Sequence, residues 1–320
     1  MTVINGVLIS VSDEDKKLFL RKPQKVGEGI EIMTGNFWDG IEVIGKGAFA
    51  TWEWMEELVV PGSVKKIEDY AFANNKNLKK VVIEEGLEEV GNNAFAGCIS
   101  LKSVYSYVKK MGRNAFYNCK NLEYLELGEG TKIVGASAFK QCVSLKKLNL
   151  AQSIKVIGCF AFENCGLKKV IIPGSVEQVQ VGTFSGNSSL KEIVISEGVK
   201  ILEGDCFAGC PITEIVVPSS VDTIFRLVFE DCNKLKKVLM KPGLRYIDNE
   251  TFTTCENLCL VTKPDAVTSD GQFVFINENI INIKRLFRDE IRGFFSYSDL
   301  DLDLIKVKQP EQIDENERTV

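Results

Sequence analysis

The sequence predicts an α/β-type repeat solenoid. One long parallel sheet is expected on one side, short helical or turn segments on the other, and a cap at each end. Two observations carry this. The first is a period: Phe49, Phe72, Phe95, Phe116, Phe139, Phe162, Phe184, Phe207, Phe229 and Phe252 follow one another at steps of 23, 23, 21, 23, 23, 22, 23, 22 and 23 residues. A fixed period in the range of about 20–50 residues marks a stacked array rather than a closed globule. The second is an apolar pair two residues apart ahead of each phenylalanine, such as Val81 and Ile83 before Phe95. That spacing puts both side chains on one face of a short strand.

One unit explains the rest. From Leu78 it reads L-K-K-V-V-I-E-E-G-L-E-E-V-G-N-N-A-F-A-G-C-I-S. Leu87 and Val90, three apart, suit a turning segment. Gly91 and its counterparts Gly45, Gly135 and Gly158 are expected to let the chain bend through positive φ. Ala94 and Phe95 then bring a small and a large side chain inward. So short a unit buries its apolar side chains only against copies of itself. Strands about 4.8 Å apart would give ten units a length on the order of 50 Å. Phe139, with a repeat on each side, should be costlier to truncate than Phe49 at the opening.

In chain order, residues 1–36 are expected to form an N-terminal hairpin cap and a degenerate first strand. The hairpin strands are Val7–Ser10 and Leu18–Leu20, around the polar turn Ser12–Asp15. Trp52 and Trp54 would seal the edge of that cap. Residues 37–262 hold ten repeats without a linker. Between Phe95 and Phe116 the unit is two residues short at its outer turn, which brings Tyr105 and Tyr107 together near solvent. Residues 263–305 break the pattern and read as a C-terminal cap, with a strand at Phe273–Ile276 and a helix over Asn277–Phe295. The alternation of Asp299, Asp301 and Asp303 with leucines reads as a solvated strand face, since the glycine and distal glutamate of a calcium loop are missing. Residues 306–320 are a polar tail.

The repeat motif, L-x-x-V-x-I-P-x-x-V-x-x-I-x-x-x-A-F-x-x-C, resembles the BspA-like leucine-rich-repeat family. Leu167–Phe184 and Met55–Asn75 carry it most fully, and Ile4–Pro23 resembles the hairpin insert of that family. The resemblance spans roughly residues 4–262. It implies a right-handed leucine-rich-repeat solenoid, and a function in binding and adhesion at a cell surface or after secretion, without a conserved chemistry.

Composition narrows the function classes. Hydrophobic residues are 45% and charged residues 26%, a soluble globular balance. The net charge of −5 gives no steering toward nucleic acid or anionic membrane. No apolar run approaches the ~18 residues of a membrane span. The start, M-T-V-I-N-G-V-L-I-S, has no basic leader region and is expected not to be a signal peptide, so the chain reads either as cytoplasmic or as one from which a signal has been removed. Histidine is absent, which excludes histidine-based triads and histidine-ligated zinc. No phosphate loop, nucleophile elbow or metal spacing is present. The expectation is no enzyme, no cofactor, no metal and no catalytic residue.

Seven of the 10 cysteines share one position, three after the phenylalanine: Cys98, Cys119, Cys142, Cys165, Cys210, Cys232 and Cys255. Other repeats place Trp52, Asn75 and Asn187 there. Disulfides and zinc sites need specific partners, whereas a column that accepts asparagine needs only a small, weakly polar, buried side chain. The column is expected to be a structural ladder of reduced thiols. Cys206/Cys210 and Cys255/Cys259 have no matching second pair for zinc. Cys159 and Cys206, outside the column, are candidate accessible thiols.

Binding is expected on the strand side chains that face away from the core. The middle outward column is Val59, Val82, Tyr105, Glu126, Asn149, Ile171, Val194, Val216, Leu239 and Thr262. The column beside it is charged and mixed and contains Tyr124. An apolar stripe bordered by charge suits a protein interface, although β-branched residues favour strands on either face. Tyr105, Tyr107, Tyr124, Val82, Glu126, Asn149, Ile171 and Val194 are the candidate binding residues. The expected partner is a protein or glycan bound by a monomer, with no nucleic acid and no membrane insertion. An intracellular scaffold for protein–protein interaction is the alternative.

Overall fold

A computed structural model describes residues 38–52, 55–248, 250–258 and 260–262, and the strand residues 2–4, 7–10, 24–25 and 31–32. The described chain is a parallel β-solenoid. From Glu57 to Met240 each repeat contributes a four-residue strand, and five of these, from Glu57–Val60 to Lys147–Leu150, pair in parallel as one sheet. Burial alternates along them as the two-residue period requires: Val81 and Ile83 are fully buried while Lys80 and Val82 face outward.

The single sheet expected from the sequence is in fact two. A second parallel ladder is built from two-residue strands such as Glu89–Val90, Lys110–Met111 and Ile133–Val134. Each strand buries its second residue and exposes or half-exposes its first, so two extended residues suffice to continue a ladder. The third side carries turns, with no α-helix among the described residues. The reason is local: each unit places two residues at positive φ four apart, as in Asn93 (φ 56°) and Gly97 (φ 74°). A left-handed residue every four positions stops a right-handed helix from propagating. These turns form a backbone ladder of their own, in which Phe95 N donates to Ala115 O at 2.7 Å and Phe116 N to Ala138 O at 2.7 Å.

Where glycine stands four residues ahead of the phenylalanine, as Gly91, Gly112, Gly135 and Gly158 do, it is needed for a different reason from the one its sequence suggests. Gly91 and Gly135 do not adopt positive φ. A Cβ on Gly135 would instead lie 2.5 Å from the backbone of Gly112 in the preceding repeat. Close stacking of successive turns excludes the side chain.

The core is a column of rings. From Phe49 to Phe252 each phenylalanine stacks on the next, with centroids 4.8–6.1 Å apart. Trp52 is buried edge-on against Phe49 at 4.8 Å. At the N-terminus Thr2–Ile4 pairs antiparallel with Val7–Ser10, and Val7–Ser10 pairs in parallel with Val43–Ile44. The hairpin thus extends the short-strand ladder. The expected second hairpin strand at Leu18–Leu20, Trp54, the C-terminal cap over 263–305 and the polar tail lie outside the described residues.

Two interruptions divide the strand ladders. The long-strand sheet stops after Lys147–Leu150, resumes at Lys169–Ile172, and stops again between Glu192–Ile195 and Glu214–Val217. The short-strand ladder breaks once, between Val156–Ile157 and Gln178–Val179. Both breaks in the long sheet precede a unit with one residue missing after its cysteine: Cys165-Gly166-Leu167 and Cys210-Pro211-Ile212, against Cys98-Ile99-Ser100-Leu101. In the full-length unit Leu101 N closes a turn on Cys98 O at 3.1 Å, and a segment one residue shorter has no room for it. At the first break both strand ladders are interrupted and the turn ladder alone is continuous, through Phe139 N to Ala161 O and Phe162 N to Thr183 O. The two-residue deletion beside Tyr107 breaks nothing: Ser103–Ser106 pairs in full register with both neighbours.

Candidate binding site

The site lies on the outward face of the first five-stranded sheet. Pairing sets Val82, Tyr105, Glu126 and Asn149 side by side in successive strands. Tyr124 sits two residues before Glu126 on the same face, in register with Ser103. Tyr107 follows the Ser103–Ser106 strand, at the position that Pro61 and Glu84 take in earlier repeats. All three tyrosines are half-exposed.

They converge on one carboxylate. Tyr107 Oη donates to Glu126 Oε1 at 3.1 Å and Tyr124 Oη donates to Glu126 Oε2 at 2.6 Å. Asn149 Nδ2 donates to Tyr124 Oη at 3.1 Å, so that hydroxyl both gives and receives. The Tyr105 and Tyr124 rings lie 5.1 Å apart at 38°. Gly128 leaves room for the Tyr107 ring, which a Cβ there would meet at 2.2 Å. Hydrogen bonding to the Glu126 carboxylate pushes the Tyr124 hydroxyl up to about 12 from its ordinary 10.0 and raises that of Tyr107 as well. The arrangement offers two ring faces around a carboxylate whose two oxygens are both held by tyrosine hydroxyls.

Not all eight candidate residues come together. Ile171 and Val194 pair with each other in a separate sheet beyond the first break. They are exposed by 51% and 39%, set apart from the tyrosines, and Val216, across the second break, is exposed by 45%. Gly128 was not singled out in the sequence. Its only signal there is a bare residue beside a tyrosine that has replaced a proline or glutamate.

The cysteine column lies inside the solenoid and forms no part of this face. Each thiol donates to the carbonyl of the phenylalanine one repeat earlier, from Cys98 to Phe72 through Cys255 to Phe229, at 3.0–3.3 Å. Asn75 and Asn187 each donate to the carbonyl of the preceding repeat's phenylalanine at 2.8 Å and to that of their own repeat's at 2.7 Å. Burial pushes the Cys210 and Cys255 thiols up to about 12 and raises those of Cys119, Cys142, Cys165 and Cys232. Cys206, expected to be accessible, is fully buried. It stands directly before Phe207, the place that Ala94 and Ala161 fill in other repeats, and that place faces the core. Cys159 is half-exposed. Among the described residues, no group of three or more Cys, Asp or Glu is placed to hold a metal ion, and no helix is long and apolar enough to cross a membrane.

The profile described as "BspA type Leucine rich repeat region" matches the chain in six copies, over residues 29–111, 109–236 and 223–298. No curated protein matches. Among solved structures, the chain is similar to the leucine-rich repeat protein TpLRR of T. pallidum at 22% identity and TM-score 0.46, covering 57% of this chain and 78% of that one. It is similar to a leucine rich cell surface protein of Faecalibacterium prausnitzii at 18% identity and TM-score 0.36, covering 71% and 84%. It is also similar to the pneumococcal vaccine antigen PcpA at 17% identity and TM-score 0.40, covering 70% and 80%.

Proposed function

Because the chain belongs to the BspA-type leucine-rich-repeat family, we propose that it is a non-enzymatic binding module that engages a protein surface through its exposed strand ribbon. Tyr105, Tyr107 and Tyr124 are the centre of that contact. The observation that supports this is the convergence of two tyrosine hydroxyls on Glu126. Rings already fixed by hydrogen bonds lose little rotamer freedom when a partner covers them. Tyrosine supplies large contact area at low entropic cost, and such anchors dominate interface energetics. Val82 and Asn149 flank the anchors on the same sheet, and the Ile171–Val194 run is a second, apolar contact zone further along the ribbon.

The test begins with selecting peptides from a displayed random library on the full chain. Affinities of the winners are then compared across the wild type, the Tyr105→Ala/Tyr124→Ala variant and a turn-side control, Lys120→Ala. Each anchor lost should weaken binding by about 1–3 kcal/mol, roughly ten- to a hundredfold. Unchanged affinity in the tyrosine variant, with the fold intact by circular dichroism, removes the ribbon as the binding face. Capture from a host-surface extract against a cytosolic extract then separates an adhesion role from an intracellular scaffold.

A further inference from the structure

We infer that the group bound at the tyrosine–glutamate cluster is the guanidinium of an arginine side chain presented by the protein partner. The inference rests on the ribbon reading above and names the chemistry of its anchor point. Glu126 is the only acid in the middle outward column. Both of its oxygens accept from tyrosine hydroxyls, and such neutral donors orient a carboxylate without cancelling its charge. Some glutamates elsewhere on the solenoid are matched across repeats by lysines, as in Lys110–Glu89 at 2.9 Å, Lys79–Glu56 at 2.9 Å and Lys109–Glu88 at 3.1 Å. Among the described residues Glu126 has no such partner, since its neighbours in register are Tyr105 and Asn149.

The rings add to the preference. Aromatic faces carry negative potential and attract a cation above them. Tyr105 and Tyr124 present two such faces beside the carboxylate. A guanidinium is flat, so it can lie on a ring and still direct two N–H groups at one carboxylate. The surrounding charge gives a direction of approach. The lysines of the flanking column, Lys80 and Lys147, stand at the first position of their strands, and the exposed Glu85 and Glu129 stand beyond the last. The arginine therefore enters from the Tyr107 end. A neutral sugar would use the rings and leave the charge unanswered, and an anion would be repelled.

The experiment uses the full chain with isotope-labelled tyrosine rings, whose NMR signals are assigned with single Tyr→Phe variants. The probe is Nα-acetyl-arginine methylamide at low ionic strength, and its uncharged citrulline analogue is the control. The expected result is a saturable shift of the Tyr105 and Tyr124 rings with arginine. Citrulline should bind at least about tenfold more weakly, the equivalent of one charge-assisted hydrogen bond. Glu126→Gln should lose a similar factor, and Glu126→Asp, which keeps the charge, should retain most of the response. Equal shifts with arginine and citrulline, no shift with arginine, or an arginine response unaffected by Glu126→Gln would each overturn the inference. Selected library peptides that need Tyr105 and Tyr124 but lack arginine would overturn it too, while leaving the ribbon reading standing. Peptides indifferent to both tyrosines would remove the ribbon itself.

Discussion

Truncating Phe139 to alanine tests the ring column where it is most symmetrical. Phe139 is fully buried and stacks on Phe116 at 5.2 Å and on Phe162 at 5.4 Å, within 5° of parallel. Loss of a buried phenylalanine side chain costs about 3–5 kcal/mol, from lost transfer energy and the cavity left behind. Two aromatic contacts, each worth roughly 0.5–1.5 kcal/mol, place this case at the upper end of that range. Phe252 makes one such contact among the described residues and is 7% exposed, so Phe252→Ala should cost about 1 kcal/mol less. Phe49 no longer qualifies as the weaker case: Trp52 packs on it from one side and Phe72 from the other, and it too is fully buried. The assay is urea unfolding followed by far-ultraviolet circular dichroism and by tryptophan fluorescence. At a slope of about 3 kcal/mol per molar, Phe139→Ala should lower the midpoint by about 1–2 M. All three tryptophans, Trp38, Trp52 and Trp54, lie near the N-terminal end. Fluorescence therefore follows that end alone, and the two probes should separate in the variant. A midpoint unchanged from wild type, or a larger effect at Phe252, would refute the reasoning.

Two further outcomes concern protons and thiols. With Glu126→Gln, the Tyr124 hydroxyl should return from about 12 toward its ordinary 10.0, because the carboxylate it donates to is gone; absorbance titration at alkaline pH reads this directly, and an unaltered titration would contradict the hydrogen bond. The sign for stability follows: the folded value is the higher one, so the contribution is complete below pH 10 and fades as pH rises through 12. Under a thiol reagent near neutral pH, Cys159 should label first among the described cysteines and the buried column only on unfolding, since the thiolate is the reactive form. Peptide mapping that finds disulfides within the column, or column labelling as fast as that of Cys159, would defeat this.

Much of the architecture was legible because it repeats. Ten phenylalanines at near-constant spacing leave little choice but a stack, and the paired valines and isoleucines of each unit mark which strand face is inward. The second strand ladder was not legible. Two residues are too few for a two-residue alternation to stand out, so Glu89-Val90 reads as a turn until its neighbours are placed beside it. The role of Gly91 was hidden for a similar reason: its constraint comes from the adjacent repeat, not from its own dihedral. At the candidate site the sequence brought the three tyrosines to one surface through the shortened turn. It did not reveal that Glu126 ties two of them together, because side chains on separate strands meet only once the register is known. The split between Asn149 and Ile171 was likewise invisible in a column of residue names, although one missing residue after Cys165 was its trace.

That missing residue has a mechanical consequence. In a linear array, unravelling spreads from turn to turn by peeling one strand off the next. Between the repeat of Lys147–Leu150 and that of Lys169–Ile172 neither strand ladder is paired, so a fray that starts at the C-terminal end meets a firebreak there. The strands of Tyr105 and Tyr124, with Tyr107 beside them, lie on the far side. Under force applied from the C-terminal side, the distal repeats would give up length first, while the tyrosine face kept its shape.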